Sequence, residues 1–163
     1  LNKMKPAILQ GPSEPLGYLS DLEIGHRYRI GKTVIPLDSA LEFANALDPL
    51  SFHNDPEAAK QSLFGGLIVS GLQSLSVVHA LSVLGGFLVE DRVICGAGID
   101  ELRFIKPVRP DDVLDVTAEV IELKQPRPGR DYGVARLRYS VTGPTGDTVM
   151  TFIDNHVLKN KRG

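Results

Sequence analysis

The chain has 163 residues, 42% hydrophobic and 23% charged, a balance that fits one ordinary globular domain rather than a disordered or membrane chain. Its net charge of −2 comes with no basic run, so no nucleic-acid partner is expected. A single cysteine, Cys95, excludes an internal disulfide and a Cys-rich zinc site.

Residues 1–20 hold two glycines and three prolines without periodicity and read as an N-terminal arm, or irregular lead-in, to a domain over 21–163. They contain no apolar core with a small-residue cleavage site, so a cytoplasmic setting is expected. The segment 28–35 is rich in β-branched residues and predicts a strand closed by Pro36. Asp38 or Ser39 can cap a helix over 40–47, with Leu41, Phe43, Ala44 and Leu47 near one face, and Asp48-Pro49 stops it.

A short helix is predicted after Asn54 or Asp55, with Pro56 in its first turn. The longest apolar-rich run, 63–88, is interrupted by Ser70, Gln73, Ser74, Ser76 and His79. It therefore predicts a buried helix and not a membrane span. From Gly71 that helix carries Leu72, Leu75, Val78 and Leu81 at helical spacing, widened by Val77 and Leu84, and Gly85-Gly86 ends it. On this pattern His79 reads as a hydrogen-bonded core histidine and Cys95 as a buried small residue.

Four strands follow, over 94–105, 113–123, 134–141 and 148–158. In the second, Leu114, Val116, Ala118 and Val120 alternate with Asp115, Thr117 and Glu119, an antiparallel half-buried pattern. A strand, a helical section and four sequential strands predict an α+β class: an antiparallel sheet with one long helix on a single face.

The chemistry concentrates in the stretch DPLSFHNDPEAAKQSLFGGLIVSG over 48–71. This stretch resembles the active-site segment of the MaoC-like hydratase/dehydratase family. The family carries an Asp, a His five positions on, an Asp two further, a small-residue helix and a Gly opening the central helix. Those are Asp48, His53, Asp55, Ala58-Ala59 and Gly71 here. The runs Asp48-Pro49, Phe52-His53 and 64–71 resemble one branch of the family's acyl-CoA dehydratases. The stretch 102–112 resembles the strand and turn after the helix, so the likeness spans roughly residues 20–158. The chain departs where the better-known pattern has Asn and Pro, at Leu50 and Ser51, and where a Ser often stands, at His79.

The resemblance implies a single hot-dog domain, an antiparallel β-sheet wrapped around a long central helix. It implies addition of water to a 2-enoyl-CoA, or its removal from a 3-hydroxyacyl-CoA, with an (R)-hydroxy product. Asp48 and His53 would be the acid/base pair, and the Gly71 N–H at the N-terminus of the buried helix would face the developing enolate oxygen. Gly66, Ser70, Phe52, Arg103 and Arg109 are candidate substrate-binding residues, the arginines together with Lys106 for the phosphates of coenzyme A. Solvated strand-end charge is the other reading of that basic cluster.

Taken alone, Asp48 also reads as a helix stop, His53 as a loop histidine and Asp55 as an N-cap. Asp154 and His156 share a strand face, but two side chains are too few for a metal site. No metal or redox cofactor is expected, with the coenzyme A thioester as substrate and no membrane partner. A homodimer is expected because a lone hot-dog sheet leaves a strand edge open. Two alternatives stand beside hydration: a hot-dog thioesterase using Asp48, and a non-catalytic acyl-CoA-binding subunit.

Overall fold

A computed structural model describes residues 6–161. The first five residues of the expected arm and the last two of the expected domain lie outside the described residues. One six-stranded antiparallel sheet runs in the spatial order β1-β2-β4-β5-β6-β3. Its strands are β1 (Ala7–Gln10), β2 (Arg27–Val34), β3 (Val93–Phe104), β4 (Val113–Lys124), β5 (Tyr132–Thr142) and β6 (Thr148–Lys159). Between β2 and β3 come four helices, α1 (Leu37–Leu47), α2 (Ser51–Asn54), α3 (Pro56–Gln61) and α4 (Gly71–Leu84). The sheet curls around α4, which is the hot-dog fold.

The alternation in the strands sets the layers. Leu114, Val116, Ala118 and Val120 of β4 and Ala135, Leu137, Tyr139 and Val141 of β5 are all buried, and their registers place Val116 opposite Val141 and Ala118 opposite Tyr139. Apolar side chains at every second position thus meet on one face, where α4 and the lead-in cover them. Tyr139 stacks on Phe152 of the next strand, ring centres 4.7 Å apart.

The lead-in is more regular than its composition suggests. Ala7–Gln10 pairs with β2 across a register shift, and Leu16 and Leu19 are buried in the core. A Cβ on Gly31 would collide with the Gln10 carbonyl, so only glycine lets this short strand close on β2. A four-residue strand stapled by such a contact has too little periodicity to announce itself.

Helix α1 begins at Leu37, earlier than predicted, and no side chain caps it; Asp38 instead accepts a hydrogen bond from the Ser39 N–H at 2.9 Å. The short helix α3 starts as predicted, with Asp55 accepting from the N–H groups of Glu57 and Ala58 and Pro56 in the first turn.

Helix α4 departs most from its pattern. Its inward face carries Gln73, Ser74, Val77, Val78, Leu81 and Ser82, whereas Leu72, Val83, Leu84 and His79 face outward and are exposed. Ser74 and Ser82 hydroxyls donate to carbonyls one turn back, and Gln73 Nε2 reaches across to α1, donating to Ser39 O and Ser39 Oγ, while Gln73 Oε1 is buried without a partner among the described residues. Small and internally bonded side chains let the helix sit close to the sheet, so burial did not follow hydrophobicity. His79 is therefore not a core histidine. Cys95, on the edge strand β3, is exposed and free.

Candidate active site

Three chain turns converge on one spot. Asp48 is the residue at which α1 ends, its N–H donating to Ala44 O at 3.0 Å and its backbone leaving helical geometry at φ −147°. Leu50 then enters α2, a single turn not foreseen in the sequence, which turns His53 inward to 7% exposure. The chain returns through Ile68, whose N–H donates to Phe52 O, and through Val69, whose N–H donates to Val108 O, before Gly71 opens α4.

The Asp48 and His53 side chains meet there, with His53 Nε2 3.4 Å from Asp48 Oδ2. On the far side of the ring, Nδ1 lies 2.8 Å from the Ile68 carbonyl oxygen, which can only accept. Nδ1 therefore carries the proton, and a neutral His53 presents a lone pair at Nε2. Ser70 Oγ donates to Asp48 Oδ2 at 2.7 Å and holds that oxygen toward the imidazole. With Nε2 bare, both atoms are acceptors, and a water molecule beside the pair on its cavity side can donate one hydrogen to each.

A cavity of about 330 Å³ opens beside the pair, lined by Phe52, His53, Phe64, Gly71, Ser74 and Phe104 among others. That volume suits a small-molecule site. Phe52 meets the His53 ring edge-on at 4.5 Å and Phe64 at 5.2 Å. Gly71, as the first residue of α4, has an N–H outside the helix's own ladder, with the helix dipole behind it. A Cβ here would lie 2.7 Å from the outer end of the Phe104 ring, so a side chain at this position would have to push that ring aside.

The other predicted site residues are placed differently. Ser70 is buried and engaged with Asp48. Arg109 sends Nη2 to Phe64 O at 2.7 Å and Nη1 to Leu67 O at 3.2 Å, clamping the turn that contains Gly66, and a Cβ on Gly66 would lie 3.1 Å from that guanidinium. Arg103 is exposed on β3, donates to the neighbouring Leu102 carbonyl, and does not line the cavity. Lys106 does line it, paired with Asp147 at 2.8 Å. Phe104, Ile105, Pro107, Val149 and Met150 complete the wall and were not anticipated. Among the described residues, no three His, Cys, Asp or Glu side chains gather where a metal ion could be held.

A family model described as the MaoC like domain matches residues 23–149. The chain belongs to the MaoC-like family. Its match to the Bacillus subtilis protein YdeM, itself uncharacterized, is 36% identical over 109 residues, 67% of this chain and 76% of that one. Among solved structures, the MaoC-like dehydratase from Rhodospirillum rubrum is similar over 91% of this chain and all of its own, at 30% identity and a TM-score of 0.81. The (R)-hydratase from A. caviae involved in PHA biosynthesis covers 86% of this chain and 98% of its own, at 24% identity and a TM-score of 0.64, a likeness of fold.

Proposed function

We propose that this MaoC-like domain is a hydro-lyase interconverting a 2-enoyl-CoA and a 3-hydroxyacyl-CoA. The observation that carries it is the pair of acceptors, Asp48 Oδ2 and a His53 Nε2 whose lone pair is fixed by the Ile68 carbonyl, facing each other at 3.4 Å beside a cavity. In the hydration direction, a water held by both gives one proton to the dyad as its oxygen bonds to the β-carbon. The electron pair of the double bond moves to the thioester oxygen, where the Gly71 N–H stabilises the enolate. Return of the pair forms the α-carbon–hydrogen bond with the proton the dyad received, so one water is consumed and the dyad is regenerated. This chemistry needs no metal or redox cofactor, and the family resemblance implies the (R) product.

The R. rubrum relative, a dehydratase by name, supports the reaction class. A homodimer is part of the proposal. Edge strand β3 exposes Ile94, and α4 exposes Leu72 and Leu84, apolar side chains outside the cavity that a second copy would cover. Free and exposed Cys95 suits the reducing conditions of a cytoplasmic setting. No described helix is long and apolar enough to cross a membrane.

The test is product analysis with but-2-enoyl-CoA in isotopically labelled water. Label at the β-carbon hydroxyl of an intact thioester is expected. Release of free coenzyme A thiol instead would assign the domain to hydrolysis and overturn the reading.

A further inference from the structure

A second cavity, of about 450 Å³, lies farther along the same three elements that wall the first. The first cavity touches α4 at Gly71 and Ser74, β6 at Val149 and Met150, and β3 at Phe104. The second touches α4 at His79 and Val83, β6 at Asp154 and His156, and β3 at Gly96 and Ile99. Since β3 and β6 are antiparallel, moving toward the C-terminus of α4 moves the same way along β6 and backward along β3, so the two cavities succeed each other along these strands, the second bounded by the outer flank of α4 at His79 and Val83. From Gly71 to His79 the helix advances about 12 Å, within reach of a medium-length acyl chain but not of a four-carbon one.

The walls of this second cavity are apolar, with Val83, Leu88, Val93 and Ile99, but its deepest side chains are not. His156 is 1% exposed and Asp154 7%. His156 Nε2 makes no hydrogen bond among the described residues, and its separation of 3.4 Å from Asp154 Oδ2 is too long for a strong charge-assisted bond. Burial holds the His156 pKa below its ordinary value, the Asp154 charge opposing and His79 assisting, so the ring is neutral at pH 7. A bare alkyl tail seated here would leave two buried polar groups without partners, at a cost comparable to several lost methylene contacts. A carboxylate tail would meet Asp154 and, at the rim, Glu90. A hydroxyl can accept from the imidazole N–H and donate to the carboxylate at once.

We propose that Asp154 and His156 form a specificity site for an acyl chain bearing a hydroxyl at its far end, the thioester sitting at His53 and Gly71. The inference deepens the hydro-lyase reading and rests on it for the position of the thioester. Gly96 supports the placement. It pairs with His156 across the sheet, so its missing side chain would point the same way, and a Cβ there meets nothing within 4 Å.

The experiment compares binding of two saturated thioesters, ω-hydroxydecanoyl-CoA and decanoyl-CoA, by titration calorimetry, so that no turnover is needed. Wild type is expected to bind the hydroxylated chain at least about tenfold tighter, the discrimination of a buried hydrogen-bonding site against an analogue lacking the group. The double substitution Asp154→Leu with His156→Leu removes both polar groups together, leaves no orphaned charge, and should reverse the preference. Gly96→Val fills the cavity and should weaken the hydroxylated chain by a similar factor. Equal affinities in wild type, a preference surviving in the folded double variant, or unchanged binding in Gly96→Val would each overturn the proposal. Hydration of but-2-enoyl-CoA by wild type, whose tail cannot reach this cavity, tests the hydro-lyase reading separately.

Discussion

Ser70 donates its hydroxyl hydrogen to Asp48 Oδ2 at 2.7 Å, joining the last residue before α4 to the residue that ends α1. The same carboxylate oxygen is the one nearest His53 Nε2, so Ser70 decides where the lone pairs of Asp48 point. Ser70→Ala should lower kcat about ten- to a hundredfold, the worth of a hydrogen bond to a charged group, with KM nearly unchanged. Ser70→Thr should recover part of the loss. A Ser70→Ala enzyme with raised KM and full kcat would make Ser70 a substrate-binding residue instead.

Gly71 lies against the outer end of the Phe104 ring. A methyl group there would press the Phe104 ring at 2.7 Å. Gly71→Ala should cost about 1–3 kcal/mol of stability by overpacking, read as a lower urea midpoint. Phe104→Leu in the same chain should restore part of it, because the smaller side chain clears the space.

Asp55 caps α3 through two backbone N–H groups, at 2.9 Å and 3.1 Å. Asp55→Ala should therefore cost about 1 kcal/mol, and Asp55→Asn much less, in chemical denaturation.

His156 imposes a pH dependence on stability. Its folded pKa is lowered from 6.5, chiefly by burial, so below that value the unfolded chain takes up a proton that the folded chain refuses. The stability that neutral His156 contributes is complete above the unfolded pKa and declines as pH falls beneath it. Melting temperature should drop between pH 7 and pH 5 more steeply in wild type than in the Asp154→Leu, His156→Leu double variant, as followed by circular dichroism. Parallel curves would show that His156 is not the group responsible.

The parts of this molecule legible in its sequence are those whose signal is local. Alternation in β4 revealed the face it buries, and Asp55-Pro56 revealed the start of α3. The 48–71 motif brought Asp48, His53 and Gly71 forward, and the structure gathers them around one cavity. What escaped depends on distant partners. Nothing in the sequence says that the Ile68 carbonyl faces His53 Nδ1, or that Arg109 spends its guanidinium on the Phe64 and Leu67 carbonyls. Helix α4 shows the limit of periodicity: serines that bond back to their own helix, and a glutamine that reaches Ser39 of α1, face inward, leaving Leu72 and Val83 outside.

The central claim is that Asp48 and His53 act together on water. Its most direct test follows the absorbance of the conjugated enoyl thioester when but-2-enoyl-CoA meets wild type, Asp48→Asn and His53→Ala, each verified as folded. The account predicts loss of absorbance with wild type and rates about 100- to 10,000-fold lower in each variant. Wild-type protein that leaves the absorbance unchanged, or either variant turning over at the wild-type rate, would contradict it.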